Sequence, residues 1–193
     1  MIEERTDHVR LDLNRRQLLT AMGATAAALR IPTPFGLLSP TQAKAQDAPL
    51  AVLSPAEATT LDALGDVLLP GAAKAGISHY VDAQLAKAIP FLIYRYLDVP
   101  IPPTDFYKGS LAALDAYSQA KHRSAFTALT PDVQAAVVGD LAGGKPDGWS
   151  GPPPSLVYFV VRMDAVDVVY GTEEGFARLG LEYEAHIAPP QKW

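Results

Sequence analysis

Apolar positions recur at steps of three and four along most of this chain, and proline or glycine closes each run. In "LSPAEATTLDALGDVLLPG", Leu61, Leu64 and Leu68 share one helical face. Ser54 is suited to the N-cap, Pro55 to the first turn and Glu57 to a capping box, and Pro70-Gly71 stops the helix. A second helix is predicted from near Ser78, with Val81, Leu85, Ile89, Leu92, Ile93 and Tyr96 inward and a kink or restart at Pro90. "DVPIPPT", from Asp98 to Thr104, breaks the pattern. Thr104 then caps a third helix running to about His122, with Tyr107, Leu111, Leu114 and Tyr117 inward. Thr130-Pro131-Asp132 opens a fourth, which buries Val133, Val137 and Leu141.

"GGKPDGWSGPPP", residues 143–154, holds four glycines and four prolines and reads as irregular. The valine-rich "SLVYFVVRMDAVDVVYG" that follows is too long for one strand. Its Phe159, Met163, Val166 and Tyr170 favour a buried fifth helix. From Thr172 onward, with Gly175, Gly180 and a closing "APPQKW", the chain reads as extended. The expected fold class is all-α: a single domain of about five helices with a long irregular C-terminal tail.

The first residues follow a different rule. "NRRQLLTAMGATAAALRI" places Arg15 and Arg16 ahead of a weakly apolar run from Leu18 to Leu29, and "AKA" at Ala43–Ala45 fits a small-x-small cleavage site. The arginine pair followed by Gln17-Leu18-Leu19 resembles a twin-arginine export motif, with Asn14 a departure where Ser or Thr is usual. The run is rich in Ala, Gly and Thr and is interrupted by Arg30, short of the roughly 20 strongly apolar residues of a membrane anchor. Residues 1–45 are therefore expected to be a twin-arginine signal peptide and 46–193 a helical domain. That domain would be exported already folded to the periplasm.

Composition narrows the chemistry. The 193-residue chain has a formal net charge of -5, and residues 46–193 are more acidic still, without a basic stripe. Nucleic-acid binding is a poor fit, because phosphate contacts need Lys and Arg. With no cysteine, disulfides, thiolate metal sites, covalent c-type haem, iron–sulfur clusters and a lipidated N-terminus are excluded.

No dinucleotide fingerprint, phosphate loop or nucleophile elbow is present. Glu182, Glu184 and His186 alternate, and on a strand they would share a side. That permits a metal-dependent enzyme or small-ligand binder as the alternative function, although a solvated acidic face is the plainer reading. Asp62 and Asp66, four apart, could serve as an acid–base pair but read better as the wet side of the first helix. Arg162, Asp164 and Asp167 lie in an otherwise apolar helix and suggest an internal ion pair or a contact with a partner. Trp149 in the Gly/Pro loop and Trp193 at the terminus are candidate partner-interface residues, since rigid aromatics bury area at small entropic cost. No catalytic, cofactor-binding or metal residue is assigned.

Three segments, the capped "LSPAEATTLDALGDVLLP", the "FYKGSLAALDAYSQAKHRSAFTALTPDVQAAVVGDL" stretch and "FVVRMDAVDVVYG", follow a twin-arginine-like leader. In this arrangement the chain resembles the gluconate 2-dehydrogenase subunit 3 family, small subunits of flavin-dependent sugar or glycoside dehydrogenases. Many members close with a "YGGN"-type motif, whereas Tyr170-Gly171 here continues as "TEEGFARLG". That departure places the chain in a divergent branch and leaves gluconate itself unassigned. The resemblance implies a large FAD-carrying partner subunit that oxidises the sugar, and a cytochrome c that accepts electrons. The small chain would be non-catalytic, supplying the export signal through Arg15 and Arg16 and stabilising the large subunit. It would meet the membrane only through the complex.

Overall fold

The computed structural model describes residues 31–33, 36–90, 92–144 and 146–182. Two short antiparallel strands, β1 (Ile31–Thr33) and β2 (Gly36–Leu38), precede eight helices among the described residues. These are α1 (Pro40–Ala45), α2 (Pro55–Leu68), α3 (Ala72–Ala75), α4 (Ile77–Leu85), α5 (Pro103–His122), α6 (Pro131–Ala142), α7 (Pro154–Tyr170) and α8 (Glu173–Arg178). Single 3₁₀ turns at Ile93–Tyr96 and Phe126–Ala128 join α4 to α5 and α5 to α6. The fold is all-α, as expected, and the described residues fall in one contact unit.

α2 and α7 are the axis of the domain. α2 packs on α3, α4, α5, α6 and α7, and α7 packs on α2, α3, α4, α6 and α8. The reason is local sequence: Leu61 and Leu64 from α2 and Val157, Val160, Val161, Ala165 and Val168 from α7 are completely or nearly completely buried. Each such leucine or valine side chain contributes about 1.5–3 kcal/mol on leaving water. Phe106 and Tyr107 from α5 fill the space beside Tyr94, with Tyr94 and Phe106 ring centroids 4.4 Å apart.

The capping box of α2 forms as the sequence dictates. Ser54 Oγ accepts from the Glu57 N–H at 3.2 Å, and Glu57 Oε2 accepts from the Ser54 N–H at 2.7 Å. Upstream, the buried Asp82 carboxylate accepts three successive N–H groups, from Ala51, Val52 and Leu53, at 2.8, 2.8 and 2.7 Å. That one side chain holds the approach to α2 against α4.

Several expectations are corrected. The second helix ends at Leu85 and does not run to Tyr96, because the Pro90 ring would clash with the carbonyl four residues earlier and biases Ile89 away from helix. Ile89 and Tyr96 consequently lie exposed, although Val81 and Leu92 are buried as predicted. Thr104 does not cap α5, which starts at Pro103 with Pro102 in the cap position, two residues earlier. The chain after Thr172 is not extended: Thr172 Oγ1 accepts from Gly175 N–H at 3.0 Å and starts α8, with Glu173 and Glu174 in its favourable first turn.

The largest departure is at the front. Pro40–Ala45, which lie within the 1–45 segment expected as a leader, form α1 with Ser39 as its N-cap, an element that the helical pattern does not announce. Asp62 is also not on a wet face. It is buried, accepts Lys44 Nζ at 2.7 Å and lies 3.3 Å from the Ser78 N–H, so its partner comes from α1.

Candidate functional site

α7 is apolar on all sides, and a helix of that kind is normally covered all round. Its inward side is Val157, Val160, Val161, Asp164, Ala165, Val168 and Val169. The opposite side carries Phe159, Arg162, Met163, Val166 and Tyr170, at steps of three and four. The sequence reading took Phe159, Met163, Val166 and Tyr170 as the buried set. The structure reverses this: Phe159 is 43% and Tyr170 42% exposed, and Met163 and Val166 are only half-covered. The buried face is the valine-rich one, Val157, Val160, Val161, Val168 and Val169.

The outward stripe runs about 16 Å at 1.5 Å per residue. Arg162 projects from it with its guanidinium carbon 6.0 Å from the Tyr158 ring centroid. Phenylalanine, tyrosine, methionine and arginine on one face, with half-buried Asp167 at its border, is the composition of the centre of a protein interface. Beyond the C-terminal end of α7, α8 packs on the helix, and Leu179 and Leu181 follow it exposed. The Arg178 guanidinium donates to the Val169 carbonyl and ties this end down.

Beneath the stripe lies a closed polar pair. Asp164 is wholly buried and its Oδ2 accepts the Tyr107 hydroxyl at 2.6 Å, while Oδ1 has no partner. Burial pushes its carboxyl up to about 8; the Tyr107 hydrogen bond opposes this and the nearby Asp167 charge reinforces it. Asp164 is thus a protonated acid at neutral pH. Tyr107 and Tyr80 are both pushed up, chiefly by burial and then by Asp164. Arg162 points away from Asp164, on the exposed side, so the two do not form the internal ion pair considered from the sequence.

Clefts elsewhere assemble no catalytic set among the described residues. One of about 360 Å³ lies between the end of α4 and the start of α5, lined by Ile89, Tyr94, Arg95 and Asp98. A second of about 370 Å³ touches Lys44 and His79, but His79 Nε2 is engaged with the Ala48 carbonyl at 3.1 Å. A third, about 540 Å³, contains Tyr117 and the Lys121–Asp140 ion pair of 2.7 Å. No group of three His, Asp or Glu side chains among the described residues is placed to hold a metal.

The residues singled out from the sequence are placed as follows. Trp149 is half-buried, its indole N–H donating to the Pro152 carbonyl at 2.8 Å and its ring edge-on to Tyr117 at 6.2 Å. It staples the Gly/Pro loop to α5, where Gly151 lies so close to Ala113 that no Cβ would fit. Asp66 caps the following turn, accepting from the N–H groups of Gly71 and Ala73 at 3.1 and 2.9 Å, and is remote from any acid–base role with Asp62. Glu182 is exposed; Glu184 and His186 lie outside the described residues, as do Arg15, Arg16 and Trp193. Ala43 and Ala45 are both in α1, with Ala43 fully buried.

A family model described as gluconate 2-dehydrogenase subunit 3 matches residues 55–189. No curated protein and no protein of solved structure matches the chain.

Proposed function

The chain belongs to the gluconate 2-dehydrogenase subunit 3 family, whose name is that of one subunit of a dehydrogenase, and on that premise we propose that it is the non-catalytic small subunit of a periplasmic FAD-dependent sugar or glycoside dehydrogenase complex. The partner is the large flavin-carrying subunit, which performs the oxidation, and a cytochrome c takes the electrons. The FAD belongs to the partner. The small chain stabilises the large one and carries it through the twin-arginine route by its own leader, Arg15 and Arg16 being the recognition pair.

One observation supports this reading above the others: the outward stripe Phe159, Arg162, Met163, Val166 and Tyr170 on a helix that is apolar all round. Leaving two aromatics, Phe159 and Tyr170, partly in water on the central helix of the domain is costly, and a partner surface relieves that cost. A standard interface buries about 800 Å² on each side, so the stripe is the centre of the contact and α8 with Leu179 and Leu181 extends it. Trp149, whose polar edge is already engaged internally, is at most peripheral.

The escort part is tested in cells producing both subunits. With Arg15→Lys and Arg16→Lys together, small and large chains should both stay in the cytoplasm. A large subunit that reaches the periplasm at its normal level would refute the escort role.

A further inference from the structure

α1 occupies the place where the sequence suggests a cleavage triplet, and it is joined to the domain at every turn. Ser39 forms a full capping box with Gln42. Its hydroxyl also donates to Glu174 of α8 at 2.5 Å, across 135 residues of sequence. Thr41 Oγ1 donates to the Ala75 carbonyl at 3.2 Å, and Lys44 Nζ pairs with the buried Asp62 at 2.7 Å. Ala43 is fully buried with Ile31 and Ala48. Gly76, at φ +88°, approaches the Pro40 carbonyl so closely that any Cβ would overlap it. The α3–α4 junction is therefore shaped to receive α1.

On the export reading above, we propose that residues 39–45 remain on the mature protein, that Ala43-Lys44-Ala45 is not a processing site, and that leader removal takes place upstream of Ser39. A small-x-small peptidase must bind its substrate extended, with both small side chains in its pockets and the backbone free. Ala43 instead faces the domain interior, its N–H donating to Ser39 O at 2.8 Å and its carbonyl accepting from Ala48 at 2.9 Å. The N–H of the bond to be cut, Gln46, donates to Gln42 O at 3.0 Å. Cleavage tolerance follows the burial and hydrogen bonding of the backbone, and both protect this bond. The twin-arginine route transports folded chains, so the peptidase would meet α1 already docked. Loss of α1 would also leave the Asp62 carboxylate buried without its cation.

Trypsin reads the same backbone without any dependence on export, because Lys44 lies inside the triplet. In the purified full-length protein the Lys44–Ala45 bond should be cut on the order of 100-fold more slowly than in a synthetic peptide of residues 39–49, which is too short to hold a helix. Cutting at the peptide's rate would overturn the proposal. Intact mass and N-terminal sequence of the periplasmic chain give the second arm. A mature protein beginning at or before Ser39 is expected, and one beginning at Gln46 would overturn it. If no periplasmic chain is found, the export reading fails and the trypsin rate alone decides whether α1 is integral.

Discussion

Replacing Asp164 by asparagine should remove most of the pH dependence of stability between pH 5 and 8. The native carboxyl, wholly buried, titrates at about 8, whereas in the unfolded chain it titrates near the ordinary 3.9. Between those two values the folded state holds a proton that the unfolded state has released. Stability from this group is therefore complete below about pH 4, falls as pH rises, and levels off above about 8. Each pH unit in the window costs about 1.4 kcal/mol, so wild type should lose about 3 kcal/mol from pH 5 to 7.5. That is a large share of the roughly 5–15 kcal/mol that holds a domain together.

Other shifted carboxyls leave the window readable. Asp167 is also raised by burial and adds a smaller slope of the same sign. Burial pushes Glu57 up, but its hydrogen bonds to Ser54 and Lys108 together outweigh this and hold it below the ordinary range, and Asp140 is lowered chiefly by Lys121. Their contributions are present above the ordinary carboxylate range and are lost only on acidification below it. Asparagine keeps an oxygen for the Tyr107 hydroxyl and cannot ionise. Urea unfolding at pH 5, 6, 7 and 8 should show a midpoint that falls for wild type and stays within about 1 kcal/mol for the variant. A wild-type curve that is flat or rising across this range, or a variant with the wild-type slope, would refute the protonated buried acid.

Two further outcomes follow from single contacts. Asp82→Ala leaves three N–H groups of residues 51–53 without their acceptor and should cost about 3 kcal/mol or more in denaturant unfolding; a loss under 1 kcal/mol would show that water replaces the carboxylate easily. Gly76→Ala combines a left-handed backbone with overlap on the Pro40 carbonyl and should cost about 2 kcal/mol. It should also speed tryptic cutting at Lys44, and unchanged stability and cutting would mean that α1 does not rest on this glycine.

What was legible in the sequence was whatever depends on neighbours in sequence. The Ser54/Glu57 capping box, the start of α6 at Pro131 and the all-α class all follow from local signals and periodicity, whereas Pro154, read as loop, is the first residue of α7. The end of α4 at Leu85 was implicit in Pro90, but the apolar residues beyond it continue the helical spacing and hide the break. α8 had its N-cap in Thr172 and its acids in the first turn, yet Gly175 and Gly180 spoke for coil. The orientation of α7 could not be read, because apolar residues are spread around the whole helix and leave no clear side to aim it; the valine face is the one buried. α1 was missed because "AKA" satisfies a protease rule and a small-residue packing rule equally well. Asp62 looked solvent-facing for the same reason, since Lys44 sat in a segment read as removable.

The most direct measurement joins the outward stripe to the subunit role. The full chain, tagged and produced with the flavin-carrying large subunit, is captured from the periplasm, and the absorption spectrum and chain content of the eluate are recorded beside those of a Phe159→Glu, Tyr170→Glu double variant at the two exposed aromatics. Wild type should bring down the large chain with flavin bands, and the variant, with helicity and thermal midpoint unchanged, should bring down neither. A colourless wild-type eluate containing the small chain alone, or a variant that retains the flavin chain at wild-type yield, would contradict the assignment of this chain as a subunit docked through α7.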